Sequence, residues 1–265
     1  MSCAEPDGRT TPVFELDRTS VLYDGHAALA DAHLRVERGE AVALVGPSGA
    51  GKTTLLRLLC AAVTPTSGRV LVAGQDLEAL SQRKLQGLRA RIGFVHQDLA
   101  LVPNLRVSQN VIAGSLGSLG FLRSVRAMLL PSSRELDRAS GILERVGIGE
   151  KLFQRTDSLS GGQRQRVAIA RALYQEPWAI LADEPVSSVD PARARDTVAL
   201  LRDLCAERGL TLIVSLHDLQ LAREILPRLV GLRGGRIVFD RSTQAVSEQD
   251  FRELYRLEGR GPDGA

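Results

Sequence analysis

The sequence predicts an α/β fold around a mostly parallel core sheet, and three features carry that expectation. "AVALV" (Ala41 to Val45) is a short unbroken apolar run, the pattern of a strand buried on both faces. A glycine-rich turn follows it, and then "TTLLRLLCAAV", whose leucines recur at helical spacing. "WAILADE" and "LTLIVSLH" repeat the buried-strand pattern later, with a helical segment between them.

The remaining elements fall around that core in order. "VFELDRTSVLY" and "AHLRVERGE" read as strands joined by turn residues, and "GRVLVAGQDL" and "RIGFVHQ" as two more. From Asp98 to Asp157 helical periodicity dominates, which reads as a helical insert. Within it Ser132 and Glu135 form a capping box after Pro131, and Leu136, Ala139, Leu143 and Val146 line one helix face. Ser160 and Gln163 form a second capping box, opening a helix that runs to about Tyr174, ahead of Pro177. Asp190 and Pro191 are an N-cap and first-turn pair. Ala194, Val198, Leu201 and Cys205 make an apolar stripe, and Gly209 is the C-terminal cap. "LVGLRGGRIVF" reads as a hairpin on a Gly-Gly turn, and the tail "GRGPDGA" as disordered. The whole is expected to be one domain over 1–265. Its α/β core covers about 12–97 and 176–245, its helical subdomain about 98–175, and its flexible tail 258–265.

Composition narrows the function classes. The chain has 265 residues, 44% hydrophobic and 25% charged, the profile of a soluble globular protein. Net charge is only +3, basic residues are interspersed with acids, and aromatics are 4%, so a nucleic-acid partner is not expected. Cys3, Cys60 and Cys205 lie far apart, without zinc or disulfide spacing, which suits a reducing, cytosolic setting. No apolar run approaches the roughly 18–20 residues of a membrane span. "MSCAEPDGRTTP" at the N-terminus lacks the apolar stretch of a signal peptide.

"GPSGAGKTT" fits G-x-x-x-x-G-K-[ST] with a buried strand before it and an apolar helix after it, the context a phosphate loop requires. Its residues are Gly46, Pro47, Ser48, Gly49, Ala50, Gly51, Lys52, Thr53 and Thr54. Glycines let backbone N–H groups turn inward around phosphate oxygens, and the helix start adds partial positive charge. Lys52 can reach the β- and γ-phosphates, and the Thr53 hydroxyl can ligate Mg²⁺. The loop alone leaves kinase, GTPase and ATPase classes open.

"ILADEP" places Asp183 and Glu184 at the end of a buried strand, at the rim where ligands bind in open α/β sheets. Asp183 is read as a holder of the Mg²⁺ shell and Glu184 as the residue that orients or deprotonates water. His217 ends "LIVSLH" and is expected to contact the γ-phosphate or water, whereas His26, His33 and His96 read as ordinary polar residues.

Taken in order, Gly46–Thr54, Gln97, "LSGGQ" (Leu159–Gln163), "ILADEP" (Ile180–Pro185), "SSVD" (Ser187–Asp190) and His217 resemble the nucleotide-binding subunit of ATP-binding-cassette (ABC) transporters. The resemblance runs from about Phe14 to Leu257. It implies a phosphate-loop NTPase with an antiparallel β subdomain and a helical subdomain beside the core, ATP and Mg²⁺ as ligands, and two copies closing on ATP. It also implies roles for matching positions. Gln97 senses Mg²⁺ and the attacking water, Asp190 contacts the partner subunit, and Tyr23 stacks on adenine. Ser160, Gly161, Gly162 and Gln163 cover the γ-phosphate held by the partner subunit's Lys52, using the anion-binding start of a helix. Thr53 stands where serine is common in the family and keeps the hydroxyl. Integral membrane permease subunits, and indirectly a solute-binding protein, are implied partners, which puts the chain peripherally at the cytoplasmic face of the cell membrane.

Within that family "NVIAGSLGSLGFLRSVRAMLLP" (Asn110 to Pro131), "RALYQEPWAILADEPVSSVDP" and "RLVGLRGGRIVFD" resemble the phosphonate-import branch. Asp218 stands where that branch often has glutamine, and "SSVD" lacks the usual leucine before aspartate. An importer for another solute and a soluble accessory ATPase of phosphonate metabolism remain as alternatives.

Overall fold

Strand alternation decides which helices pack on which face of the core sheet, and strand register decides where the site forms. The computed structural model describes residues 12–186 and 190–255. The anticipated tail and Ser187–Val189 of "SSVD" lie outside the described residues. The N-terminal elements are β1 (Phe14–Tyr23), β2 (His26–Val36), β3 (Ala41–Val45), α1 (Lys52–Leu59), β4 (Ser67–Val72), β5 (Gln75–Asp76), α2 (Gln82–Arg89) and β6 (Ile92–Val95). A helical stretch follows, with α3 (Val107–Ile112), α4 (Phe121–Leu129), α5 (Ser133–Arg145) and α6 (Gly161–Tyr174). The chain then returns through β7 (Ala179–Asp183), α7 (Pro191–Glu207), β8 (Thr211–Leu216), α8 (Leu219–Ile225), β9 (Arg228–Arg233), β10 (Arg236–Ser242) and α9 (Glu248–Tyr255).

The core sheet has the order β10-β9-β3-β8-β7-β6, parallel except for the β10 hairpin strand, and a separate antiparallel sheet has the order β2-β1-β4-β5. In β3, Val42 and Leu44 face α1 and the antiparallel sheet, while Ala43 and Val45 face α6 and α7. The same alternation puts Leu181 and Ile213 on the α1 side and Ile180, Ala182, Leu212 and Val214 on the other. Two apolar cores therefore sandwich one sheet, which is why its strands read as unbroken apolar runs. Parallel register aligns Val45 with Leu216 and Asp183 with Ser215. The C-terminal ends of β3, β7 and β8 thus finish at one level, and the segments leaving them start at one rim.

Local signals hold at the predicted helix ends. Ser132 with Glu135 and Ser160 with Gln163 both form reciprocal capping boxes, and Asp190 caps α7 ahead of Pro191. At the far end of α7 the Gly209 and Leu210 amides donate to the Ala206 and Cys205 carbonyls, closing the helix as the glycine predicted. The region after β6 is helical but broken into short pieces, with α3 and α5 packed on α6. The periodicity did not single out α2, α8 or α9, which are short and carry few buried residues.

The α7 stripe packs as anticipated, with Val198, Leu201 and Cys205 buried. Burial pushes the Cys205 thiol up to about 12, so at pH 8 the native thiol stays protonated. Ellman's reagent at pH 8, read by mass spectrometry, should leave Cys205 unmodified in the native protein and label it fast in urea. Equal rates in the two states would contradict this packing.

Candidate nucleotide-binding site

The chain leaves β3 through Gly46, where φ is 150° and an added Cβ would stand 2.1 Å from the Leu232 carbonyl oxygen. It enters α1 through Gly51, at φ 102°, where a Cβ would meet the Ala28 carbonyl oxygen at 2.5 Å. Both glycines are thus imposed by close backbone and left-handed geometry. No side chain caps α1, which leaves the helix-start N–H groups free to bind an anion. Lys52, the first residue of α1, is 4% exposed. Its Nζ donates to the Gly46 carbonyl at 2.8 Å and the Pro47 carbonyl at 3.1 Å, so the ammonium sits inside the curve of the loop. Burial lowers its pKa, opposed by the charges of Glu184 and Asp183.

Asp183 ends β7 on the face shared with Leu181, which aims it at the first turn of α1. There the Thr53 hydroxyl donates to Asp183 Oδ1 at 3.1 Å. From the neighbouring strand the Ser215 hydroxyl donates to the same oxygen at 2.8 Å. Glu184 then leaves the strand with φ 44°, a left-handed conformation that costs a non-glycine residue about 1–2 kcal/mol. Its amide donates to Ser215 Oγ at 2.8 Å. The Glu184 carboxylate lies 2.5 Å from His217 Nε2 and 3.8 Å from Lys52 Nζ. The His217 carbonyl accepts from the Tyr255 hydroxyl on α9 at 3.3 Å. Asp218, the departure from glutamine, caps α8 by accepting from the Leu221 amide at 3.0 Å.

Lys52, Thr53, Asp183, Glu184 and His217 therefore form one cluster at the sheet rim. Among the described residues no hydrogen bond or ion pair joins it to Tyr23, Gln97, Asp190 or the start of α6. Tyr23 is exposed at the end of β1, opposite His26. Asp190 is engaged as an N-cap, accepting from the Arg193 amide at 3.1 Å. Gln97 is exposed just beyond β6, in a cavity of about 430 Å³ that it shares with Gly161, Arg164 and Pro185. A Cβ on Gly161 or Gly162 would meet nothing within 4 Å, so neither glycine touches its own phosphate loop. Sequence reasoning missed Ser215 and Tyr255. Ser215 had a signal, a lone polar residue inside an apolar strand; Tyr255 had none.

The oxygen donors at the rim fit Mg²⁺. Thr53 Oγ1 and Asp183 supply two hard oxygens side by side. Among the described residues no group of three or more His, Cys, Asp or Glu could hold a metal ion alone. A cation that keeps several waters and takes phosphate oxygens suits so small a donor set.

Comparison with known proteins shows the family of the chain. The ABC transporter family model matches residues 29–187. "Phosphonates import ATP-binding protein PhnC 2" of Pseudomonas aeruginosa (strain UCBPP-PA14) is 51% identical, covering 92% of this chain and 91% of that one. "Phosphonates import ATP-binding protein PhnC" of Anaeromyxobacter dehalogenans (strain 2CP-C) is 48% identical over 96% of this chain, which spans 50% of that longer protein. Among solved structures, cbiO1 from Clostridium perfringens, part of the ABC transporter complex cbiONQ, superposes with a TM-score of 0.78 at 29% identity, covering 93% of this chain and 95% of that one. Dimeric MJ0796, a bacterial ABC transporter cassette, superposes with a TM-score of 0.77 at 30% identity, covering 88% and 100%. A match to the family model across more than half its length, with relatives near half-identical over nine-tenths of it, shows that the chain belongs to the ABC transporter family.

Proposed function

We propose that this chain is the ATP-hydrolysing, energy-coupling subunit of an importer for phosphonates or related phosphorus oxyanions. The observation that carries the reading is 51% identity to a phosphonates import ATP-binding protein across nine-tenths of both chains. In this reading Lys52, anchored by the Gly46 and Pro47 carbonyls, presents its charge to the β- and γ-phosphates of ATP. Thr53 and Asp183, joined by Gln97, would hold Mg²⁺, which when bound neutralises phosphate charge. Glu184 accepts the proton of the attacking water on its carboxylate, and His217 fixes that carboxylate through Oε1. Tyr23 stacks on adenine.

A second copy completes the site. Ser160, Gly161, Gly162 and Gln163 at the open start of α6 cover the γ-phosphate on the partner's loop, and Asp190 contacts the partner. Dimer closure then drives separate permease subunits at the cytoplasmic face of the membrane. Among the described residues no helix is long and apolar enough to cross a membrane. The exposed Phe121, Leu122, Leu129 and Leu130 of α4 and its end supply an apolar surface for those subunits.

The test is uptake by the reconstituted complex with its own binding protein, across a panel of phosphonates and phosphite. ATP-dependent uptake of at least one is expected. Transport of an unrelated solute, with none of these, would overturn the substrate assignment. The accessory-enzyme alternative predicts co-purification with soluble enzymes in place of integral membrane proteins.

A further inference from the structure

The geometry points to Ser215 as a positioning residue that sets Asp183 and Glu184 together. This rests on the reading of those two carboxylates as the hydrolytic pair. Ser215 is fully buried in β8, on the same face as Ile213 and directly beside Asp183 in the parallel register. A hydroxyl can donate one hydrogen bond and accept others, and Ser215 does both toward adjacent residues. Its O–H donates to Asp183 Oδ1 at 2.8 Å, and its oxygen accepts from the Glu184 amide at 2.8 Å.

Each contact has a distinct consequence. Thr53 also donates to Asp183 Oδ1, so two hydroxyls fix that oxygen. The ladder between β7 and β8 ends at the Asp183–Ser215 pair. The Glu184 amide is the first beyond it, and Ser215 supplies the acceptor that the ladder no longer provides. That bond holds Glu184 in its left-handed conformation, from which its carboxylate reaches His217. One side chain thus sets the rotamer of the cation-holding residue and the backbone of the base. A serine present only to satisfy its own hydroxyl would need one of these links and not both.

Threonine and valine separate these readings, because they share a shape and differ in the hydroxyl. Ser215→Val should lower kcat by about 10–100-fold, the usual effect of losing a hydrogen-bond partner behind a metal-holding carboxylate. It should also lose most of the Mg²⁺-dependent gain in affinity for a fluorescent ATP analogue, measured against the same titration in EDTA. The affinity in EDTA should hold, because Lys52 and the loop are untouched. Ser215→Thr, of matching Tm, should rescue both readouts. Equal values for the valine and threonine variants would overturn the assignment. Ser215→Ala, which adds no methyl group, should repeat the valine loss, and parental values there would overturn it as well. Glu184→Gln distinguishes the layers. If that variant hydrolyses ATP at the parental rate, the functional reading fails. If it is inactive while valine and threonine variants match, only the role of Ser215 fails.

Discussion

Glu184→Gln should keep ATP binding and lose roughly 10²–10⁴-fold in turnover, the range of a general base. The amide has the shape of the carboxylate and can still hydrogen-bond His217, so the rim geometry survives. What it lacks is the basic oxygen proposed to take a proton from water. The substitution also removes one of the two carboxylates that oppose the burial-driven drop in the Lys52 pKa. Asp183 remains to hold that cation, and the loop carbonyls of Gly46 and Pro47 still anchor it. A negative charge 3.8 Å from the Lys52 ammonium, the proposed phosphate contact, is gone as well, which would favour the nucleotide-bound state. The variant should therefore accumulate as an ATP-bound dimer, seen as a shift to twice the mass on size exclusion with ATP and absent without it. Phosphate release at the parental rate would remove Glu184 as the base.

Different physical signals made parts of this molecule readable. The doubly buried strands were legible because β3, β7 and β8 have apolar cores on both faces, so burial wrote unbroken apolar runs into the sequence. Helix starts at Ser132, Ser160 and Asp190 were legible because capping is chemistry between residues three apart. Lys52, Glu184 and His217 were each legible from a local motif, but the contacts of Lys52 with Glu184 and of Glu184 with His217 depend on strand register, which leaves no local pattern. Asp218 shows the limit of family patterns. It departs from the expected glutamine, and the structure gives it a local task as the cap of α8. Tyr255 reaches the His217 carbonyl from an eight-residue helix whose sequence is mostly polar, so nothing nearby marked it.

Two inactive variants should restore each other. Gly162→Glu adds a side chain at a position where a Cβ meets nothing within 4 Å, inside the first turn of α6. The new carboxylate lies at the positive end of the helix and replaces a poor helix former, so the isolated chain should keep its Tm. Across a dimer interface it would stand where the γ-phosphate is proposed to bind, and hydrolysis should fall about 10²–10³-fold. Lys52→Ala should fall comparably, for want of the cation inside the loop. A mixed dimer has one site with both defects, and one that combines the intact loop of the Gly162→Glu chain with the intact α6 start of the Lys52→Ala chain. Half the dimers in an equal mixture are mixed, so activity should return to at most about a quarter of parental if the sites act independently. Differently tagged chains, exchanged and isolated as mixed dimers, would double that recovery. A site built within one chain predicts none, because each chain then carries its own defect. For independent sites, mixed dimers without activity would place the γ-phosphate contact of α6 on its own chain, although a Cβ on Gly161 or Gly162 meets nothing within 4 Å there.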